Sequence, residues 1–135
     1  MPAQAPKILD SPLQISAELA NALDESRLPT TTPELLKTLE ARTKEIETLV
    51  RDGSLGQAWL PAMGTKTVAL VLADRAKDLP ERQQQIASAA AKKIVNSAWE
   101  IDAFGDLGNQ EKINEAFQRL TVAVTELKGV YASSR

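Results

Sequence analysis

The stretch INEAFQRLTVAVTELKGVY, residues 113–131, decides the fold class. Ile113, Phe117, Leu120, Val124, Leu127 and Tyr131 alternate spacings of four and three, so on a helix they make one continuous apolar stripe of the kind that seals a bundle or coiled coil. Gly129 weakens the last turns, and the tail from Ala132 to Arg135 is expected to fray.

Upstream of that stripe, Gly105-Asp106-Leu107-Gly108-Asn109 reads as a hairpin joint, with two glycines as punctuation and Asn109 placed to cap the helix that follows. Before the joint, Ile86, Ala90, Ile94, Ala98 and Ile101 recur at helix spacing, with Trp99 and Phe104 on flanking positions. The many alanines predict close approach of a neighbouring helix. Asp78-Leu79-Pro80-Glu81 separates this third main helix from a second. In the second, Val68 to Ala73 is apolar all round and predicts the most buried half-helix of the domain, while Pro61 and Gly64 in its early turns predict a bend or a loosening.

Ser54-Leu55-Gly56-Gln57 has capping-box spacing, which starts the second helix within two residues of the end of the first at Asp52-Gly53. So short a joint favours antiparallel neighbours. The first main helix carries Leu35, Leu36, Leu39, Ile46, Leu49 and Val50 along one side. It opens at Thr30-Thr31-Thr32-Pro33-Glu34, where Thr32 is the expected cap, Pro33 needs no amide hydrogen and Glu34 complements the helix dipole.

The first 32 residues hold four of the seven prolines, Pro2, Pro6, Pro12 and Pro29, which predicts an N-terminal arm. Within it, Ile15, Leu19, Ala22 and Leu23 lie at helix spacing. The stretch from Leu13 to Leu28 reads either as a short helix packed on the bundle or on a neighbouring chain, or as a linker helix of no fixed position. The expectation is an all-α chain: an antiparallel four-helix bundle of two helical hairpins over 33–132, an arm with a short extra helix over 1–32, and a frayed tail over 133–135.

Composition narrows the chemistry. The chain has 135 residues, enough for one domain that buries roughly two-thirds of its unfolded surface. Aromatic residues are only 4%, so Ala, Leu, Val and Ile must fill the core. With neither cysteine nor histidine, the chain lacks a thiolate nucleophile, an intrachain disulfide, thioether haem attachment, the usual general base of hydrolases and the commonest zinc and copper ligand. The net charge is -2 with both signs scattered, and Lys92 and Lys93 are an isolated pair on an alanine-rich helix, so nucleic acid is not an expected partner. No apolar run reaches membrane-spanning length, and residues Met1 to Pro6 lack the pattern of a signal peptide. The expected location is periplasmic if a signal peptide has been removed, and cytoplasmic otherwise.

Three constellations bear on function. Glu100, Asp102, Asp106, Asn109 and Glu111 gather oxygen ligands around the second hairpin joint but lack EF-hand spacing, so capping and solvation are the expectation and no metal or other cofactor is assigned. Asp74, after the apolar run, is the best candidate for a buried acid, although Arg75 and Lys77 stand ready to pair with it. Trp59, Met63, Trp99, Phe104, Phe117 and Tyr131 either line a pocket between helices or fill the core, and an exposed Trp59 or Trp99 points to a partner surface. No catalytic residue is assigned.

Ile46-Glu47-Thr48-Leu49-Val50-Arg51-Asp52-Gly53, Asp78-Leu79-Pro80 and Asp102-Ala103-Phe104-Gly105-Asp106-Leu107-Gly108-Asn109, with Leu127 and Tyr131, carry a resemblance. The stretch from Leu35 to Tyr131 resembles bacterial exported four-helix domains of cytochrome c-prime-like shape that lack the haem-binding motif and accompany periplasmic metal-handling and efflux proteins. The resemblance implies a helical bundle and an exported setting, and it transfers no catalytic residue. Metal-handling members of such a group are expected to carry His, which this sequence lacks. Together these readings lead to a non-catalytic helical module, not an enzyme, that binds a protein partner or itself as a homo-oligomer. The alternative is a carrier or sensor of a small apolar ligand, or a metal-related periplasmic accessory protein.

Overall fold

A computed structural model describes residues 28–132, and all the regular structure among them is helical. Four helices follow in order: α1 (Thr32–Arg51), α2 (Trp59–Arg75), α3 (Glu81–Leu107) and α4 (Gln110–Ala132). Single 3-10 turns at Leu55–Gln57 and Ala76–Asp78 complete the described segment. The short helix expected between Leu13 and Leu28 falls outside the described residues, apart from Leu28 itself, as does the tail over 133–135. Among the described residues no helix is long and apolar enough to cross a membrane.

The cap of α1 lies one residue earlier than expected. Thr31, not Thr32, accepts the Glu34 amide hydrogen on its hydroxyl oxygen at 3.3 Å, and its own hydroxyl donates to the Glu34 carboxylate at 2.9 Å. Thr31 stands three residues before Glu34, which is the separation a capping box needs. At the other end Gly53 takes the left-handed conformation, with φ +81°.

The expected capping box at Ser54 does not form: the Ser54 side chain makes no capping bond, and α2 begins only at Trp59. Pro61 explains the delay. A helix begun at Leu55 would carry this proline in its interior and forfeit a hydrogen bond, whereas a start at Trp59 leaves it in the first turn, where no amide hydrogen is needed. The expected bend therefore has no cause at Pro61. Gly64 is buried beneath Arg42, whose Cδ would lie 3.2 Å from an added Cβ.

Burial along α2 also differs from expectation. Pro61 to Thr65 is buried without a break, while Leu70, inside the run expected to be deepest, is 48% exposed. Thr65 and Thr67 tolerate burial because their hydroxyls donate to the carbonyls of Ala62 at 2.7 Å and Met63 at 3.1 Å. Tyr131 is a buried member of α4 whose hydroxyl donates to the Leu72 carbonyl of α2.

On α3 the buried side consists of Ala87, Ala90, Ala91, Ile94, Ser97, Ala98, Ile101 and Gly105. Ile86, read as part of that stripe, is 41% exposed, and Ala87 takes the inward position. The helix does not stop at Gly105 but runs on to Leu107, and Gly108 alone supplies the left-handed turn at φ +66°. Asn109 caps α4 by accepting from the Lys112 amide at 3.1 Å. Ile113, Leu120, Val124, Leu127 and Tyr131 of the α4 stripe are buried, and Phe117 packs against the core half-buried. Each fully buried Leu or Ile contributes roughly 1.5–3 kcal/mol.

Long-range polar contacts tie the helices together. Lys93 of α3 meets Glu126 of α4 at 3.3 Å, Glu100 meets Arg119 at 2.8 Å, Lys128 pairs with Glu40 of α1, and Gln110 donates to the Val50 carbonyl at 3.2 Å. Gly105 marks the tightest approach among the described glycines, because a Cβ there would lie 2.6 Å from the Leu55 carbonyl oxygen. Gly105→Ala should therefore destabilise the fold by about 1–3 kcal/mol, as overpacking against backbone does. Gly129→Ala meets nothing within 4 Å and should instead stabilise by roughly 0.5–1 kcal/mol. Denaturant titration of both variants tests this, and equal effects of the two would refute the role given to Gly105.

Candidate partner-binding face

The six residues expected to share a pocket or the core are divided by the structure. Met63 and Tyr131 are buried, and Trp59, Phe104 and Phe117 are half-buried against the core. Trp99 is apart from them, 52% exposed on the outer side of α3. A cavity of about 400 Å³ near the start of α1 contains Tyr131, with Pro33, Leu36 and Leu79 as its apolar walls, and none of the other five lines it.

The outer side of α3 carries exposed apolar surface. Its inner positions are occupied by small residues and two isoleucines, so the helix presents its bulkiest side chain to solvent. The Lys66 ammonium of α2 lies 5.1 Å from the centroid of the Trp99 ring, a cation–π contact that fixes where the indole sits. Two grooves flank the ridge. One, of about 410 Å³, runs between α2 and α3 and is lined by Leu70, Ala73, Ala91 and Val95 among others. The other, of about 740 Å³, lies between α3 and α4, where Val122 is 59% exposed, and Asn96 borders both.

Along the ridge itself Ala89, Lys92, Asn96, Trp99, Ala103 and Asp106 alternate spacings of three and four, and every one of them is exposed. This is heptad spacing on the side of the helix that faces away from the core. The inward stripe of Ile and Ala has the same period, so spacing alone does not single out the outer one.

Charge on this face is unevenly satisfied. Lys93 and Glu100 are engaged with α4, whereas Lys92, Asp102 and Asp106 form no ion pair among the described residues. Asp102 and Asp106 are one turn apart near the C-terminal end of α3, whose last turn holds no basic residue. Like charges at that spacing repel, and the helix dipole adds to the cost. The Asp102 carboxyl is accordingly held above the ordinary carboxylate range, first by burial and then by the charge on Asp106.

The other constellations resolve into local structure. Asp74 is exposed and pairs with Lys77 at 2.6 Å, and that hydrogen bond raises the Lys77 ammonium above its ordinary value. Of the oxygen cluster at the second joint, Glu100 turns to Arg119 and Asn109 caps α4. Among the described residues no group of three or more His, Cys, Asp or Glu side chains is placed to hold a metal ion.

An acid whose pKa is raised by folding destabilises the fold while it is ionised. The penalty is complete above the folded pKa and vanishes as pH falls below the unfolded one. Asp102→Asn should therefore raise stability at neutral pH by on the order of 0.5 kcal/mol. The gain should shrink as the solution is made acid. Thermal melts across pH decide the matter, and a variant less stable than the parent at neutral pH would contradict it.

Comparison with known proteins finds no matching family model, no similar curated protein and no similar solved structure.

Proposed function

We propose that this chain is a non-catalytic helical interaction module, an antiparallel bundle of two helical hairpins whose α3 face binds a protein partner or a second copy of itself. The observation that carries the reading is the exposure of Trp99, 52%, on the outer side of α3, with two grooves beside the ridge, one of them lined by Leu70 of α2 at 48% exposure. A large aromatic side chain beside further exposed apolar surface is the usual anchor of a protein interface. The antiparallel arrangement is supported by the pairing of Lys93 with Glu126 and of Glu100 with Arg119, where the numbering rises along α3 as it falls along α4. The absence of His and Cys from the chain is in keeping with a binding role. An exported, periplasmic setting belongs to the same reading and rests on the resemblance alone.

A second reading, a carrier or sensor of a small apolar ligand, is favoured by the cavity bounded by Pro33, Leu36, Leu79 and Tyr131. Native mass spectrometry of the purified chain separates the two readings, since a stoichiometric small-molecule adduct would favour the carrier. For the interaction module, a photo-crosslinking amino acid at position 99 should join the chain to a protein in the expressing cell. The same group at Glu47, exposed on α1, should not. An uncrosslinked position 99 would overturn the module reading.

A further inference from the structure

The interaction-module reading leaves the partner open, and the α3 face itself narrows it. We infer that the partner is a second copy of this chain, with the two α3 helices antiparallel about a two-fold axis and Lys92 of each copy seated between Asp102 and Asp106 of the other. The inference rests on that reading and deepens it.

Register is the first argument. In an antiparallel pair of heptad-spaced faces, setting Asn96 against Trp99 of the second copy also sets Lys92 against Ala103 and Ala89 against Asp106. Lys92 then lies across from a small side chain with a carboxylate on either side of it. Because a two-fold interface repeats every contact, both copies gain the same arrangement. Alanine at 89 and 103 lets the helix axes approach closely. Asn96 faces an indole in the middle, a polar group at a seam position that fixes register. Leu70 and Val95 extend the apolar surface beside it.

Charge supplies the second argument. Lys92, Asp102 and Asp106 form no ion pair within the described residues. Lys92 and Asp106 are separated by about 21 Å along the helix, too far to meet within one chain. The antiparallel copy brings them together and gives the C-terminal end of α3 the cation it lacks. An in-register parallel pair would instead set Lys92 on Lys92 and Asp106 on Asp106, so the charge pattern selects the antiparallel orientation.

The test uses the full chain and two charge-reversed forms of it. One carries Lys92→Asp, so that positions 92, 102 and 106 are all acidic. The other carries Asp102→Lys and Asp106→Lys, so that all three are basic. In sedimentation equilibrium the parent should pass from one-chain to two-chain mass as concentration rises. Trp99→Ala should weaken its self-association roughly tenfold or more. Each reversed form should remain a single chain, and an equimolar mixture of the two should recover two-chain mass. Circular dichroism should show both reversed forms folded. A parent that stays monomeric throughout, a dimer indifferent to the reversals, or reversed forms that fail to recombine would each overturn the inference. If the parent is monomeric yet position 99 crosslinks to a different protein in cells, self-pairing fails while the module reading stands.

Discussion

The small side chains on the inner side of α3 are the constraint on which the remaining structure depends. Ala87, Ala90, Ala91, Ser97, Ala98 and Gly105 fill little volume, so α2 and α4 can close on this helix from either side. The larger apolar groups come from its neighbours, with Leu72 and Val68 on α2 and Ile113, Leu120 and Leu127 on α4. A helix packed at that range has no inward room for an indole. The exposure of Trp99 is thus the counterpart of the close packing behind it, and the exposed face and the core are two sides of one arrangement of residues.

Much of this was legible beforehand. Four helices, the left-handed glycine at 53, the Asn109 cap and the inward stripe of α4 follow from spacing and turn chemistry, which act over a few residues. The departures occurred where a distant contact or a competing local rule decided. Ser54 had the spacing of a cap, but Pro61 set the start of the helix. Val68 to Ala73 is the more apolar stretch of α2, yet the deeper part is Pro61 to Thr65, where α1 crosses with Arg42 over Gly64. Gly105 looked like punctuation and is instead an interior position pressed on the Leu55 carbonyl. None of these can be read from periodicity: the first turns on a proline seven residues downstream, and the other two on which part of the chain lies alongside.

The candidate face was half legible. Trp99 was marked by its residue type, and its exposure decided which of two meanings applied. The six-residue heptad on the outer side of α3 shares its period with the buried side, and only the direction of the core tells the two apart. The same holds for charge: Lys92 and Lys93 are adjacent and identical in chemistry, yet one turns to Glu126 and the other outward. A helix rotates by about 100° per residue, so neighbours in sequence can belong to different surfaces.

Thr32, at the head of α1, and Tyr131, at the foot of α4, line the same cavity. The helical unit is therefore entered and left by the polypeptide at one place, like a bead hung from a single point on a string. The unit has the geometry of a cassette that can sit within a loop of another fold, or be rejoined end to end and reopened at the exposed Gly53 turn.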